Sequence, residues 1–153
     1  MDLDWQFKNP NLSFSNSESN VSEVIQHFNS LPQYFLNSLT KLIDLNDYVI
    51  KLCLKSERLE IWNGNRLVSL ICYYRNFKEN EIFISNVSTI PEHQGEGLAK
   101  TLMVYLLSKE ENSIFKLELD TSNHVAARFY KSLGFQELEA RNNRVVLTLS
   151  NHD

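Results

Sequence analysis

No apolar run in this 153-residue chain approaches the roughly 20 residues that a membrane-spanning helix needs, so no membrane partner is expected. The opening Met1-Asp2-Leu3-Asp4-Trp5 is acidic and lacks the basic-then-apolar pattern of a secretion signal. Basic charge is also short: Lys+Arg number 15 against 19 Asp+Glu, a net −4. Gripping a nucleic-acid backbone takes clustered positive charge, so a nucleic-acid partner is not expected. Cysteine is scarce. Cys53 and Cys72 lie in apolar surroundings without a CxxC pair, and read as free thiols of a cytoplasmic protein. His27, His93, His124 and His152 hold no metal-ligand spacing with one another or with the cysteines, so no metal is expected. There is no internal repeat and no evident linker. At 42% hydrophobic and 22% charged, the composition is that of one globular domain over residues 1–153.

Along the chain, Leu3 to Phe7 alternates apolar and polar residues and reads as a short strand. Asn9 to Asn20, rich in Asn and Ser, reads as a loop. Val21, Val24, Ile25 and Phe28 fall on one helical face, with Asn20 or Ser19 as cap and Pro32 as stop. A second helical region covers about Leu39 to Leu54, with a fresh turn near Asn46 or Asp47. Arg58–Trp62 and Leu67–Tyr74 form a hairpin about Asn63-Gly64. Glu81–Thr89 is the next strand, Leu98–Lys109 a helix and Ile114–Asp120 a strand. A short helix from about Asn123 is ended by Gly134, and Phe135–Ala140 with Arg144–Leu149 closes the fold. The order β, α, α, β, β, β, α, β, α, β, β makes this an α+β protein.

The chemistry concentrates between the fourth strand and the helix after it, in Pro91-Glu92-His93-Gln94-Gly95-Glu96-Gly97-Leu98-Ala99-Lys100. A glycine-rich turn feeding a helix offers free backbone N–H groups at the positive end of the helix dipole, which suits phosphate. A P-loop would need Lys-Ser/Thr after the last glycine, and Gly97 is followed by Leu98. A dinucleotide fingerprint would need a third glycine where Lys100 stands. Taken alone, the turn fits both a phosphate cradle and a plain strand-to-helix connection.

Two motifs go further. Gln94-Gly95-Glu96-Gly97-Leu98-Ala99 fits Gln/Arg-x-x-Gly-x-Gly/Ala, and Asn123-His124-Val125-Ala126-Ala127-Arg128-Phe129-Tyr130-Lys131-Ser132-Leu133-Gly134-Phe135 fits Asn-x-x-Ala-x-x-Phe/Leu-Tyr-x-x-x-Gly-Phe. Together they resemble the acyl-CoA signatures of the GCN5-related N-acetyltransferase (GNAT) family. The resemblance is clear from about Arg58 to Phe135 and only topological before that. It implies an αβα-layered fold with a mixed, mostly antiparallel sheet, splayed between the fourth and fifth strands and flanked by helices.

It further implies acetyl-CoA as acyl donor and a primary amine, on a small molecule or a protein, as acceptor. Homodimers are common in the family. By the same resemblance, backbone of Val87, Ser88 and Thr89 would pair with the pantetheine arm. Gln94, Gly95, Glu96, Gly97, Leu98, Ala99 and Lys100 would hold the pyrophosphate, with Glu96 turned to solvent. Asn123 and Ala126 would border the arm, and Tyr130 would protonate the leaving thiolate. The base is less defined. Glu81 is the one acid on its strand, two residues from the usual base position at Phe83; Glu118, Asp120 or a water chain are the other candidates. The motifs read CoA alone, so another acyl chain, a hydroxyl acceptor, or a non-catalytic CoA-binding module also fit them.

Overall fold

The structure is a computed structural model that describes residues 2–39 and 44–150. Its first element corrects the sequence reading. Leu3–Lys8 is a helix, α1, rather than a strand. Asp2 caps it by accepting from the Trp5 N–H at 2.9 Å, Asn9 Nδ2 closes its end on the Trp5 carbonyl, and Asp4 pairs with Lys8 one turn on. Only Trp5 turns inward, while Leu3 and Phe7 are 88% and 85% exposed. The strand alternation of these residues is therefore a coincidence of spacing.

The strand itself lies inside the stretch read as a loop. Leu12–Asn16 is β1, with Phe14 edge-on to Tyr105 at 5.0 Å. The helix α2, Val21–Asn29, starts at a full capping box between Asn20 and Glu23. The second helical region is two helices, α3 (Gln33–Leu39) and α4 (Leu45–Lys55); the part of that reading on residues 40–43 lies outside the described residues.

β2 (Glu57–Asn63) and β3 (Arg66–Asn76) form the expected hairpin, one residue further along than read. Asn63 pairs with Arg66, so Gly64 and Asn65 make the turn, with Gly64 at φ +62°. β4 (Glu81–Thr89), α5 (Leu98–Lys109) and β5 (Ile114–Asp120) fall on their expected bounds. α6 (His124–Ser132), β6 (Gln136–Arg141) and β7 (Arg144–Ser150) complete the chain.

Among the described residues, seven strands make one sheet in the order β1-β2-β3-β4-β5-β7-β6. Every neighbouring pair is antiparallel except β4–β5. Residues Leu67 to Tyr73 of β3 are buried without interruption, because α2 packs on this strand and α5 packs on it as well. Phe28, Val49 and Leu52 come from the α2–α4 cover, and Leu102, Met103 and Leu106 from α5. The mixed sheet flanked by helices is the expected α+β fold.

At the β1 end, a buried ion pair replaces apolar packing. Arg58 Nε lies 3.4 Å from Glu60 Oε2, and both side chains are sealed from solvent. Glu60 also accepts from Ser15 Oγ, from the Glu18 and Ser19 N–H groups, and from Ser19 Oγ. Arg58 donates to the Ser19 hydroxyl and carbonyl at 2.9 and 2.8 Å. A buried pair persists only when its remaining donors and acceptors are satisfied in this way.

Candidate active site

β4 and β5 pair over three rungs only: Glu81 with Ile114, Ile82 with Phe115, and Phe83 with Lys116. Beyond them residues 84–89 and 117–120 run on without pairing to each other, so the strands part. The cause is visible on the other side of β4. Cys72 of β3 stands opposite Asn86 and Tyr73 opposite Ile84, which leaves Ser85 as a bulge. A bulge bends its strand and sharpens its twist, and this one sits just past the last β4–β5 rung.

The parted end of β4 leads through Ile90 and the single turn Pro91–His93 into the glycine stretch. Gly95 has φ +83° and Gly97 φ +75°, a region that costs an L-residue roughly 1–2 kcal/mol. Gly97 is the N-cap of α5 and supplies no side-chain acceptor, so the first N–H groups of that helix are left uncapped. Gln94 Nε2 reaches back to the Thr89 carbonyl at 3.3 Å and joins the two ends of the turn.

A cavity of about 320 Å³ opens here, lined by Thr89, His93, Gln94, Gly95, Gly97, Leu98, Ala99, Lys100 and Phe129. The fold thus brings together most of the residues expected to hold a pyrophosphate. Phe129 was not among them, although it occupies a fixed position of the second signature. Glu96 is exposed and does not line the cavity, in keeping with the expectation of a solvent-pointing side chain. Its Oε2 lies 2.6 Å from His93 Nδ1, and half of the side chain is exposed.

The remaining predicted residues divide. Val87 is half-buried on the parted stretch of β4. The Ser88 side chain is buried and occupied: its Oγ is 2.8 Å from Asn86 Oδ1 and 2.8 Å from His27 Nε2. His27 Nδ1 meets the Leu67 carbonyl at 2.8 Å, which makes Nδ1 the protonated nitrogen and Nε2 the acceptor. Burial pulls the His27 pKa down to about 4, so the ring is neutral near pH 7. Asn123 is exposed and caps α6 by accepting from the Ala126 N–H at 3.2 Å, with Ala126 half-buried behind it.

Tyr130 is 7% exposed, between Phe129 at 5.1 Å and Phe135 at 5.7 Å, both edge-on. The end of α6 holds it there. The Phe135 N–H donates to the Tyr130 carbonyl and the Gly134 N–H to the Lys131 carbonyl, a Schellman closure around Gly134 at φ +105°. Burial pushes the Tyr130 pKa further above its usual value, which disfavours the phenolate.

Glu81 is not brought to this place. It stands on the first β4–β5 rung, its carboxylate 2.7 Å from Lys116 Nζ. Eight strand residues, roughly 26 Å, separate it from Thr89. Glu118 pairs with Arg144 at 3.7 Å, and Asp120 accepts from the N–H and hydroxyl of Ser122.

The family model described as "Acetyltransferase (GNAT) family" matches residues 27–135. The chain belongs to the GNAT acetyltransferase family. Solved members share its fold at low identity. An acetyltransferase from Thermus thermophilus superposes with a TM-score of 0.73 at 16% identity, covering 91% of this chain and 96% of that one. The ribosomal-protein-S18-alanine N-acetyltransferase from Escherichia coli gives 0.68 at 15%, over 90% and 92%. The PaiA N-acetyltransferase from Thermoplasma acidophilum, solved in complex with coenzyme A, gives 0.65 at 15%, over 90% and 99%. No curated protein matches the chain in sequence. The first GNAT signature thus sits at the uncapped start of α5, just past the parted end of β4, and the second on α6 and its closing turn.

Proposed function

We propose that the chain works as one acetyl-CoA-dependent N-acetyltransferase domain, moving an acetyl group to a primary amine. The observation that carries this is the β4–β5 gap running directly into an uncapped, doubly left-handed turn. The gap offers backbone of Val87 and Thr89 that is unpaired with β5 to the amides of a pantetheine arm, as an added strand would, the Thr89 carbonyl being shared with Gln94 Nε2. The turn offers N–H groups of residues 95–100 to a pyrophosphate, with the α5 dipole behind them.

Acetyl transfer in this site is direct. The neutral amine attacks the thioester carbonyl carbon, the C–N bond forms, the C–S bond breaks, and the acetyl group leaves on nitrogen. The thiolate takes its proton from the Tyr130 hydroxyl. The proton lost by the amine passes to water, since Glu81 is engaged with Lys116, and water returns a proton to the Tyr130 oxygen to close the cycle. The same engagement favours the alternative of a CoA-binding module without turnover.

Thiol release from acetyl-CoA over a panel of small amines, amino sugars and N-terminal peptides separates the two. Turnover with any amine supports the transferase; CoA binding without release on any acceptor supports the module. A panel extended to alcohols and to longer acyl-CoAs tests the acceptor atom and the acyl chain. Absence of both release and CoA binding at millimolar concentration would sink both readings.

A further inference from the structure

The residues that form the cradle carry one formal charge between Gln94 and Ala99, and it has the wrong sign. Glu96 stands between the two left-handed glycines. Turned inward, its carboxylate would take the N–H donors for itself and repel a phosphate. Instead Glu96 Oε2 is held 2.6 Å from His93 Nδ1. With Nδ1–H donating to the carboxylate, His93 Nε2 is left as acceptor, and Asn63 Nδ2 approaches it at 3.5 Å. Asn63 belongs to the β2–β3 hairpin, and Arg66 of the same hairpin lies 3.5 Å from Glu92 and 3.3 Å from Ser30 Oγ. The hairpin therefore reaches the turn at two points.

We propose that His93 is a positioning residue for the acyl donor: it holds the Glu96 carboxylate out of the N–H cradle, and Asn63 fixes its tautomer. The proposal rests on the acetyl-CoA reading above. Its test is a cycle of His93→Ala, Glu96→Gln and the double variant, with CoA titrated calorimetrically and acetyl-CoA KM and kcat measured beside it. Loss of His93 frees the carboxylate and is expected to weaken CoA about five- to tenfold, the worth of one like charge near phosphate in a solvated site. KM is expected to rise in step while kcat holds.

Glu96→Gln is expected to bind CoA at least as well as the parent chain. In the double variant, affinity is expected to return to within about twofold of the parent, because the charge that His93 restrains is gone. A double variant as weak as His93→Ala would overturn the proposal, and so would His93→Ala with undiminished affinity. A parent chain that binds no CoA would overturn the donor reading itself, whereas a binding parent with an unrescued double variant overturns this inference alone.

Discussion

The sheet holds two polar places that are built on opposite logic. At its β1 end, Arg58 and Glu60 are buried and their hydrogen bonds are met by side chains and backbone of Ser15, Glu18 and Ser19. In its middle, β4 and β5 part after three rungs and the helix start beyond them goes uncapped. The first place closes on itself and contributes to folding; the second leaves its backbone donors for something else. Polar groups in the interior of the β1 end are satisfied internally, whereas the donors at the start of α5 face an open cavity.

Breaking the closed place should give the largest effect. Glu60→Ala leaves the Arg58 guanidinium buried without its partner and is expected to cost about 3–5 kcal/mol, read as a lower urea midpoint. His27 makes the next test. Unfolded, it takes a proton below pH about 6.5; folded, burial delays that to about 4. Its contribution is complete above pH 6.5 and is lost as pH falls toward 4, on the order of 3 kcal/mol in all. Urea midpoints measured from pH 7 to 4 should fall more steeply for the parent than for His27→Gln.

Two further changes act on the open place; Tyr130→Phe should leave stability nearly alone, and Gly97→Ala should cost roughly 1–2 kcal/mol of it. Tyr130→Phe keeps both ring contacts and removes the acid, so kcat for acetyl transfer is expected to fall about a hundredfold, or near 2.7 kcal/mol. Undiminished turnover would remove Tyr130 from the mechanism. Gly97→Ala forces a side chain into φ +75° and is expected to raise the acetyl-CoA KM by up to about tenfold through a distorted turn, with kcat held. An unchanged KM would show that the conformation of Gly97 does not matter to the donor.

The central half of the fold was legible because its signals are local. The bounds of β4, α5 and β5 follow from alternation and from Gly97, and the closure of α6 from Gly134-Phe135. The N-terminal region was not, since Leu3, Trp5 and Phe7 alternate as a strand does while local caps make them a helix. β1 hid among Asn and Ser because its worth comes from Glu60 and Tyr105, far along the chain. At the site, the glycines and Tyr130 could be read from their motifs. The occupation of Ser88 by His27, 61 residues away, could not, nor could the Ser85 bulge, which exists only in the register between β3 and β4. Glu96 faces outward as read, but its contact with His93, brought to it by the left-handed turn, could not be read from the motif.

The three-rung junction has a mechanical meaning as well. It leaves β1 to β4 and the β5, β7, β6 set as two plates that share a single short seam. On the proposed donor binding, a molecule lying in the gap would become a second seam and tie the plates more firmly. Amide exchange in β5 and β7 should then slow with donor concentration, by the same mass action that sets its affinity.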